Sequence, residues 1–156
     1  MAHDIELYKL LDKAINIAVK VHHNQFDKGG KPYILHPLYM MNQLMYDVER
    51  AIIAVLHDVI EDGSVTLSYL RDCGFSERVI HAIDLLTHKE GDSYEEYIEK
   101  ICTNIDTIYV KRKDLEHNSN ITRLKGLRES DFKRIEKYHR AFVRLGEARK
   151  KFKTKN

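Results

Sequence analysis

Four ionisable side chains follow an apolar segment in the pattern His57-Asp58-x-x-Glu61-Asp62. On one helix, His57 would share a face with Glu61, and Asp58 with Asp62, because residues four apart lie one turn apart. Aliphatic neighbours on both sides indicate that the His57-Asp58 pair is buried, and an ionised Asp is costly to bury unless it is paired or binds a metal. A divalent cation would satisfy both residues, since imidazole nitrogen and carboxylate oxygen are good ligands for transition ions. The alternative is a plain His-Asp hydrogen bond inside a core.

Two further segments supply the same residue types. His36 follows an apolar pair and precedes Pro37, and Asp114 follows three basic residues. Together with His57 and Asp58, they would offer two imidazoles and two carboxylates to one cation. Such a site leaves positions open for water and for a substrate oxygen. These four residues are therefore the candidate metal ligands.

Helices are the elements that must position these side chains, because Gly and Pro are scarce (7 and 2) and β-branched runs are short. Apolar periodicity and capping residues predict helices over 4–23, 38–45, 48–62, from 67 until Gly74, 77–86, 94–101, from about 107, and 128–151. Pro37 is predicted to open the second helix, and Thr66, Ser76 and a Ser93/Glu96 capping box to start later ones. The segment 107–111 has strand-like residues but lies in a helical context, so we predict a helix there.

Composition is typical of a soluble globular protein, with 43% apolar and 32% charged residues in 156. No apolar run is long enough to span a bilayer, and the N-terminus does not have the pattern of a signal peptide. Cys73 and Cys102 are far apart and form no CxxC motif, so we expect free thiols and a cytoplasmic protein. We expect neither a membrane nor a nucleic-acid partner, because the formal net charge is only +2.

No linker or repeat divides the chain, so we predict one domain over 1–156, with a core at about 4–146 and a basic C-terminal tail at 147–156. The basic residues at and before this tail are Arg140, Arg144, Arg149, Lys150, Lys151, Lys153 and Lys155. Such a run is usually a solvated helix end, although it could also attract a polyanion.

Four spaced motifs together resemble the hydrolase domain of the Rel/Spo-type alarmone enzymes, which are HD-domain metal-dependent phosphohydrolases. In chain order they are His22-x-x-Gln25, Lys28-x-Gly30-x-Pro32-Tyr33-Ile34-x-His36-Pro37, His57-Asp58-x-x-Glu61-Asp62 and Lys111-x-x-Asp114-x-x-His117-Asn118. The resemblance runs from about Ala14 to Phe142 and is greatest to the small alarmone hydrolases, since we expect no synthetase or regulatory domain to follow. It implies an all-α fold, a single HD-domain helical bundle.

The resemblance also implies a reaction and a cofactor. A divalent metal, typically Mn²⁺ in that family, would be held by the four candidate ligands His36, His57, Asp58 and Asp114. The reaction would remove the 3′-pyrophosphate of guanosine tetra- or pentaphosphate (ppGpp or pppGpp), giving GDP or GTP and pyrophosphate. Glu61 and Asp62 match the family's catalytic carboxylates, which suits residues able to orient or deprotonate a metal-bound water. The alternative is that both are solvated residues before Gly63.

Substrate contacts are implied at four further positions. Lys28 matches a lysine that faces the nucleotide, and Asn118 an asparagine at the nucleoside. Arg134 and Tyr138 match an Arg-x-x-x-Tyr pair, which on one helical face would suit phosphate and ribose. The alternative for this pair is a half-buried Tyr covered by an Arg stem. The expected partner is thus a small 3′-phosphorylated or 3′-pyrophosphorylated nucleotide.

Two more residues receive weaker roles. Lys89, in a polar loop, is a phosphate candidate by charge alone, and a solvated lysine is the simpler interpretation. His117 is expected to be a structural residue or an outer partner of the ligands rather than a fifth ligand.

Three positions depart from the family pattern. Asp27 replaces an arginine that lies against the guanine base, Gly29 replaces a frequent serine, and Ile121 stands where a hydroxyl residue is expected. Asp27 cannot stack on a base as a guanidinium does, but it could accept hydrogen bonds from one. The alternatives are therefore a ppApp hydrolase, an NADPH 3′-phosphatase, a nucleotidase, or a non-catalytic nucleotide sensor or antitoxin-like binding protein.

Overall fold

Capped amphipathic segments form a helical bundle in the computed structural model, which describes residues 2–154. The helices are α1 Ala2–Val21, α2 Leu35–Gln43, α3 Val48–Leu56, α4 Val59–Asp62, α5 Leu67–Asp72, α6 Glu77–Leu86, α7 Tyr94–Ile101, α8 Ile105–Asn118 and α9 Glu129–Lys153. A 3₁₀ turn spans Ile121–Arg123. Between residues 2 and 154 the extended pairing is a single bridge, from Phe26 to Pro32, which confirms the all-α prediction.

Helix α3 lies at the centre of the core. Its residues 51–56 are all buried, and α3 packs against α1, α2, α6 and α8. Burial of each large aliphatic side chain contributes about 1.5–3 kcal/mol, so this helix is held in place largely by the hydrophobic effect. The residues that follow Leu56 are consequently fixed relative to several other helices.

Side-chain caps start the helices where the sequence predicts them. Thr66 accepts a hydrogen bond from the Tyr69 amide, and Ser76 accepts one from the Val79 amide. Ser93 and Glu96 form the predicted capping box of α7. Each cap satisfies amides that have no partner within the helix, which fixes the helix start.

Two predicted helix boundaries are wrong. The helix predicted over 48–62 ends at Leu56, turns through His57 and Asp58, and resumes as α4. Asp58 has φ −109° and ψ 0°, outside the range of a regular helix. Helix α2 begins at Leu35 rather than after Pro37, because proline is tolerated throughout a first helical turn, where its missing N–H costs no bond.

The last two helices of the chain are α8 and α9. The segment 107–111 is helical as predicted and lies within α8. Helix α9 continues to Lys153 with Ala148 buried, so most of the basic tail is helix, whereas Lys155 lies outside the described residues. Phe132, near the start of this helix, is 56% exposed.

Two more features of the structure concern the cysteines and the possibility of a membrane-spanning helix. Cys73 and Cys102 are both free thiols, as predicted. Within the part of the chain that the structure describes, no helix combines the length and apolarity needed to cross a membrane.

An ion-pair network around the buried Asp106 joins three helices. Asp106 of α8 is 4% exposed and accepts bonds from Arg50 Nη2 of α3 (2.8 Å) and Arg78 Nε of α6 (2.7 Å). Arg78 Nη2 also donates to Asp47 Oδ2 at 2.6 Å. Burial would raise the pKa of Asp106, but the bonds from Arg78 and Arg50 lower it below the ordinary value. The same arginines lower the pKa of Asp47 against the effect of its burial.

Candidate functional site

The four candidate ligands meet between α2, the α3–α4 turn and α8. His36 Nε2 lies 3.1 Å from Asp114 Oδ1, and His57 Nε2 lies 2.8 Å from Asp58 Oδ2. One donor atom each from His36, His57 and Asp114 lie within 4.8 Å of one another. The structure thus brings side chains that are up to 78 positions apart in sequence close together.

Hydrogen bonds orient both imidazole rings. His57 Nδ1 donates to the Ala54 carbonyl oxygen over 2.8 Å, so Nε2 is the ring nitrogen that faces Asp58 and the site. His36 Nδ1 lies 2.6 Å from His117 Nδ1, and the two rings are stacked with centroids 4.8 Å apart. His117 is therefore an outer partner of His36, a common arrangement for histidines that bind metals.

The free ring nitrogens test whether a cation fits here. The Nε2 atoms of His36 and His57 are buried, and neither makes a hydrogen bond within residues 2–154, despite the nearby carboxylate oxygens. Most buried polar groups in proteins are hydrogen-bonded, so two such atoms side by side are unusual. A divalent transition ion would satisfy both nitrogens and the adjacent carboxylates, and the donor set fits such an ion.

The two carboxylates of the site remain ionised although they are enclosed. Burial would raise the pKa of Asp58, but the charge of His57 lowers it to about 2. Burial acts in the same direction on Asp114, whose pKa is instead held far below its ordinary value by Lys111, with Nζ 2.7 Å away, and by His36. Burial lowers the pKa of His57, but Asp58 and Asp114 raise it to about 9. The site thus has a negative potential that favours a cation.

Glu61 and Asp62 lie on α4, one turn beyond Asp58. The Glu61 carboxylate accepts a hydrogen bond from the His88 amide, and burial raises the pKa of Glu61. Asp62 is partly exposed, with Oδ2 3.6 Å from His22 Nδ1. Burial and the charge of Asp58 raise the pKa of Asp62. Both carboxylates are therefore near the donors and have raised proton affinity.

A cavity of about 270 Å³ borders the candidate ligand His36. It is lined by Phe26, Asp27, Lys28, Gly29, Tyr33, His36, Asn118, Asn120, Arg123, Leu124, Arg134 and Tyr138. All four predicted substrate residues, Lys28, Asn118, Arg134 and Tyr138, are in this lining together with the candidate ligand His36. The structure therefore brings the predicted substrate contacts and the candidate metal centre into one site.

Several of the predicted substrate-binding side chains already have polar partners within the protein. Asn118 Nδ2 donates to Asp114 Oδ1 at 2.6 Å, which links the cavity wall to a candidate ligand. Arg134 pairs with Asp131 at 2.9 Å on its own helix. Lys89 is not part of the lining and pairs with Asp84 at 2.8 Å. The solvated interpretation of Lys89 agrees with this position.

Sequence reasoning missed three contributors. The Tyr33 hydroxyl donates to Asp58 Oδ2, although Tyr33 entered the sequence analysis only as part of a motif. Lys111 neutralises the second oxygen of Asp114, and its place three residues before Asp114 is a signal that could have indicated this. Arg123 lines the cavity, and no spacing in the sequence points to it.

Comparison with known proteins gives the site a family context. No family model matches the chain. A guanosine-3′,5′-bis(diphosphate) 3′-pyrophosphohydrolase of Haemophilus influenzae is 31% identical over 135 residues, 78% of this chain and 20% of that protein. The bifunctional (p)ppGpp synthase/hydrolase SpoT of Escherichia coli is 28% identical over 123 residues, 70% of this chain and 18% of SpoT. This chain is related to the RelA/SpoT-type hydrolases.

The RelA/SpoT relationship covers one segment of much longer proteins. The chain spans a fifth or less of the length of these curated relatives. Their names also differ in the reaction: a Myxococcus xanthus relative, 29% identical over 126 residues (70% of this chain and 16% of that protein), is named a GTP pyrophosphokinase. The names of these relatives therefore include both the synthesis and the hydrolysis of guanosine polyphosphates.

Proposed function

We propose that this protein is a metal-dependent hydrolase that removes the 3′-pyrophosphate of ppGpp or pppGpp, giving GDP or GTP and pyrophosphate. The observation that carries the proposal is the convergence of His36, His57 and Asp114, with Asp58 against His57, beside a cavity that His36 and several cationic side chains line. A metal beside a phosphate-binding cavity suits hydrolysis, and several of the relatives carry the name of this reaction.

The proposed cofactor is a divalent ion, Mn²⁺, held by His36, His57, Asp58 and Asp114. When bound, such an ion lowers the pKa of a water and stabilises negative charge on a phosphate. Hydrogen bonds from the rings to Ala54 and His117 fix which nitrogen of each histidine faces the site. Lys111 holds the second oxygen of Asp114, and the Tyr33 hydroxyl donates to Oδ2 of Asp58, the oxygen that also faces His57, so both carboxylates are positioned before any ligand arrives.

Glu61 and Asp62 are the proposed catalytic groups. Their raised pKa values make them better proton acceptors than ordinary surface carboxylates, and they lie one turn from the donors. Lys28 and Arg134 are proposed to bind the substrate phosphates, while Asn118 and Tyr138 face the nucleoside. The cavity lining that these four residues share supports their roles.

A product assay tests this proposal. Purified protein with added Mn²⁺ is offered ppGpp, ppApp and NADPH in parallel, and nucleotide, pyrophosphate and orthophosphate are resolved. We expect pyrophosphate from ppGpp, with the rate lost on chelation and in Glu61→Gln. The altered residue Asp27 in the cavity makes the adenine substrates ppApp and NADPH the second candidates. Turnover of these alone would show that the enzyme is specific for adenine and not for guanine. Binding of ppGpp without turnover of any substrate would instead identify a sensor.

A further inference from the structure

The three departures from the family pattern meet at one residue, Arg123. Asp27 forms an ion pair with Arg123, and Ile121 begins the 3₁₀ turn that Arg123 completes. A Cβ atom at Gly29 would lie 2.6 Å from the Arg123 carbonyl oxygen, so only glycine permits this approach of the two loops. Asp27, Gly29 and Ile121 thus all belong to the local structure that surrounds Arg123 in the cavity wall.

Arg123 is held by the edges of its guanidinium. Nη2 donates to Asp27 Oδ2, and Nη1 donates to the His117 carbonyl oxygen at 3.1 Å. Nη1 also lies 2.8 Å from His117 Nδ1, and the side chain is 21% exposed. The adjacent Asp27 carboxylate offsets the positive charge, which weakens Arg123 as a phosphate ligand. The bonds to Nη1 and Nη2 leave the Nε–H and the planar face of the guanidinium, and the planar face is suited to stacking.

Asp27 is engaged by the protein on both oxygens. Oδ1 accepts hydrogen bonds from the amides of Gly29 and Lys31, each at 2.9 Å, while Oδ2 accepts from Arg123. Its pKa lies below the ordinary value because these bonds outweigh the effect of burial. Asp27 therefore positions Arg123. Because both of its oxygens already accept hydrogen bonds from the protein, Asp27 is poorly suited to bind a base directly.

Phe26 adds an apolar surface to the same cavity. Its side chain is 66% exposed, which is high for a phenylalanine beside a site. The bridge to Pro32 fixes its backbone at the cavity rim. An exposed aromatic ring and an arginine face in one cavity are the features that bind the flat surface of a nucleobase.

We propose that Arg123, positioned by Asp27, forms with Phe26 the surface on which the purine base of the substrate lies. This inference rests on the proposed function, since it takes the ligand to be a nucleotide with its phosphates toward His36 and Lys28. Stacking depends on the flat face of a base and only weakly on its edge groups. The cavity is therefore adapted to purine nucleotides in general, with little discrimination between guanine and adenine.

Equilibrium binding of GDP and ADP tests the inference independently of catalysis. Isothermal titration calorimetry with the metal-loaded protein compares wild type, Arg123→Ala, Arg123→Lys and Asp27→Ala, with the distant surface variant Arg71→Ala as control. We expect GDP and ADP to bind within about threefold of each other, and Arg123→Ala to weaken both by about tenfold. Arg123→Lys is expected to restore little, because lysine keeps the charge but has no planar face.

The outcomes separate this inference from the proposed hydrolase function. Weaker binding of both nucleotides in Arg123→Ala and Asp27→Ala supports the inference even if no variant hydrolyses ppGpp. Full affinity in Arg123→Lys would show that charge alone matters, and unchanged affinity in Arg123→Ala would remove its role; either result overturns the inference while leaving hydrolysis intact. Circular dichroism and thermal melts of each variant verify that a loss of binding is not a loss of fold.

Discussion

Asp58 is the candidate metal ligand whose Oδ2 faces both His57 and the Tyr33 hydroxyl. We expect Asp58→Asn to lower Mn²⁺ affinity by more than about tenfold and to abolish turnover, because a neutral amide removes a charged ligand. Bound metal after gel filtration, measured by mass spectrometry, and ppGpp hydrolysis provide the readouts. The surface variant Asp84→Asn should match wild type, and hydrolysis by a metal-free Asp58→Asn sample would disprove the ligand set.

The Tyr33 hydroxyl leads to a prediction about positioning. Tyr33→Phe is expected to weaken Mn²⁺ binding by about 10- to 100-fold, since loss of an outer hydrogen bond leaves the Asp58 ligand free to rotate. Titration with Mn²⁺, followed by calorimetry, measures the change. Tyr94→Phe is the matched control, because the buried Tyr94 hydroxyl makes no hydrogen bond among the described residues. Equal effects in both variants would assign the loss to general destabilisation.

The residue types at the candidate metal centre could be proposed from sequence because few side chains bind cations and each of these lies next to at least one apolar residue. Arg123 could not be predicted in the same way. Its ion pair with Asp27 spans 96 positions, and the approach depends on two loops that carry no periodic pattern. Asp27 alone therefore suggested a base-reading carboxylate, whereas its position beside Arg123 indicates a support.

At the scale of elements, the short helix α4 is seated on α1 through Gly63. A Cβ at this position would lie 2.8 Å from Val21 Cγ1 and 3.1 Å from the Val59 carbonyl oxygen. We expect Gly63→Ala to reduce the free energy of unfolding by about 1–3 kcal/mol, as other overpacked sites do. Denaturant unfolding measures this effect.

The control for Gly63 is Gly126→Ala. A Cβ at Gly126 would have no atom within 4 Å, so this change should leave stability unaltered or slightly raised. Since α4 carries Glu61 and Asp62, we also expect a lower turnover rate in Gly63→Ala. Unchanged stability in Gly63→Ala would show that α1 and α4 adjust without cost.

Helix starts were predictable because a cap depends on residues three apart, as with Ser93 and Glu96. The interruption between α3 and α4 was not, because the apolar pattern continues from Ile52 through Ile60 without a glycine or proline. At this interruption the His57 ring donates a hydrogen bond to the Ala54 carbonyl oxygen, and the backbone at Asp58 departs from regular helical geometry. Local patterns specify elements, and long-range contacts specify where they bend.

For the whole molecule, the Asp106 network predicts a dependence of stability on pH. The folded-state pKa of Asp106 lies below its unfolded value, so its contribution is fully present above about pH 4 and is lost as pH falls through the lower, folded value. We expect Asp106→Asn to cost about 1–3 kcal/mol at pH 7, because Arg50 and Arg78 lose charged hydrogen bonds to a buried carboxylate but keep Asp47 as a partner. Its unfolding free energy should then vary less than that of wild type below pH 4.

Urea unfolding at several pH values between 2 and 7 tests this expectation. Glu136→Gln is the control, since Glu136 makes an exposed pair with Arg140 within α9, and it should retain the wild-type pH profile. Parallel curves for wild type and Asp106→Asn would show that other carboxylates govern acid unfolding.

Composition and periodicity sufficed to predict the all-α class, since scarce glycine and proline leave few alternatives. The ion pairs that join one helix to another could not be predicted from the sequence. Arg50 and Asp106 are 56 positions apart and look like ordinary surface charges until the fold pairs them. The cavity is likewise a property of the assembled bundle, because its walls come from the loop 24–33, α2, α8 with the turn after it, and α9.

The close approach at Gly29 also has a consequence for how this site can change during evolution. While the Arg123 carbonyl oxygen lies 2.6 Å from where a Cβ would be, a serine cannot return to position 29 by itself. Removing Asp27 alone would leave the Arg123 guanidinium without its anionic partner. Positions 27, 29 and 123 should therefore covary among related sequences, and chains that regain an arginine at 27 should also have released the turn at 121–123.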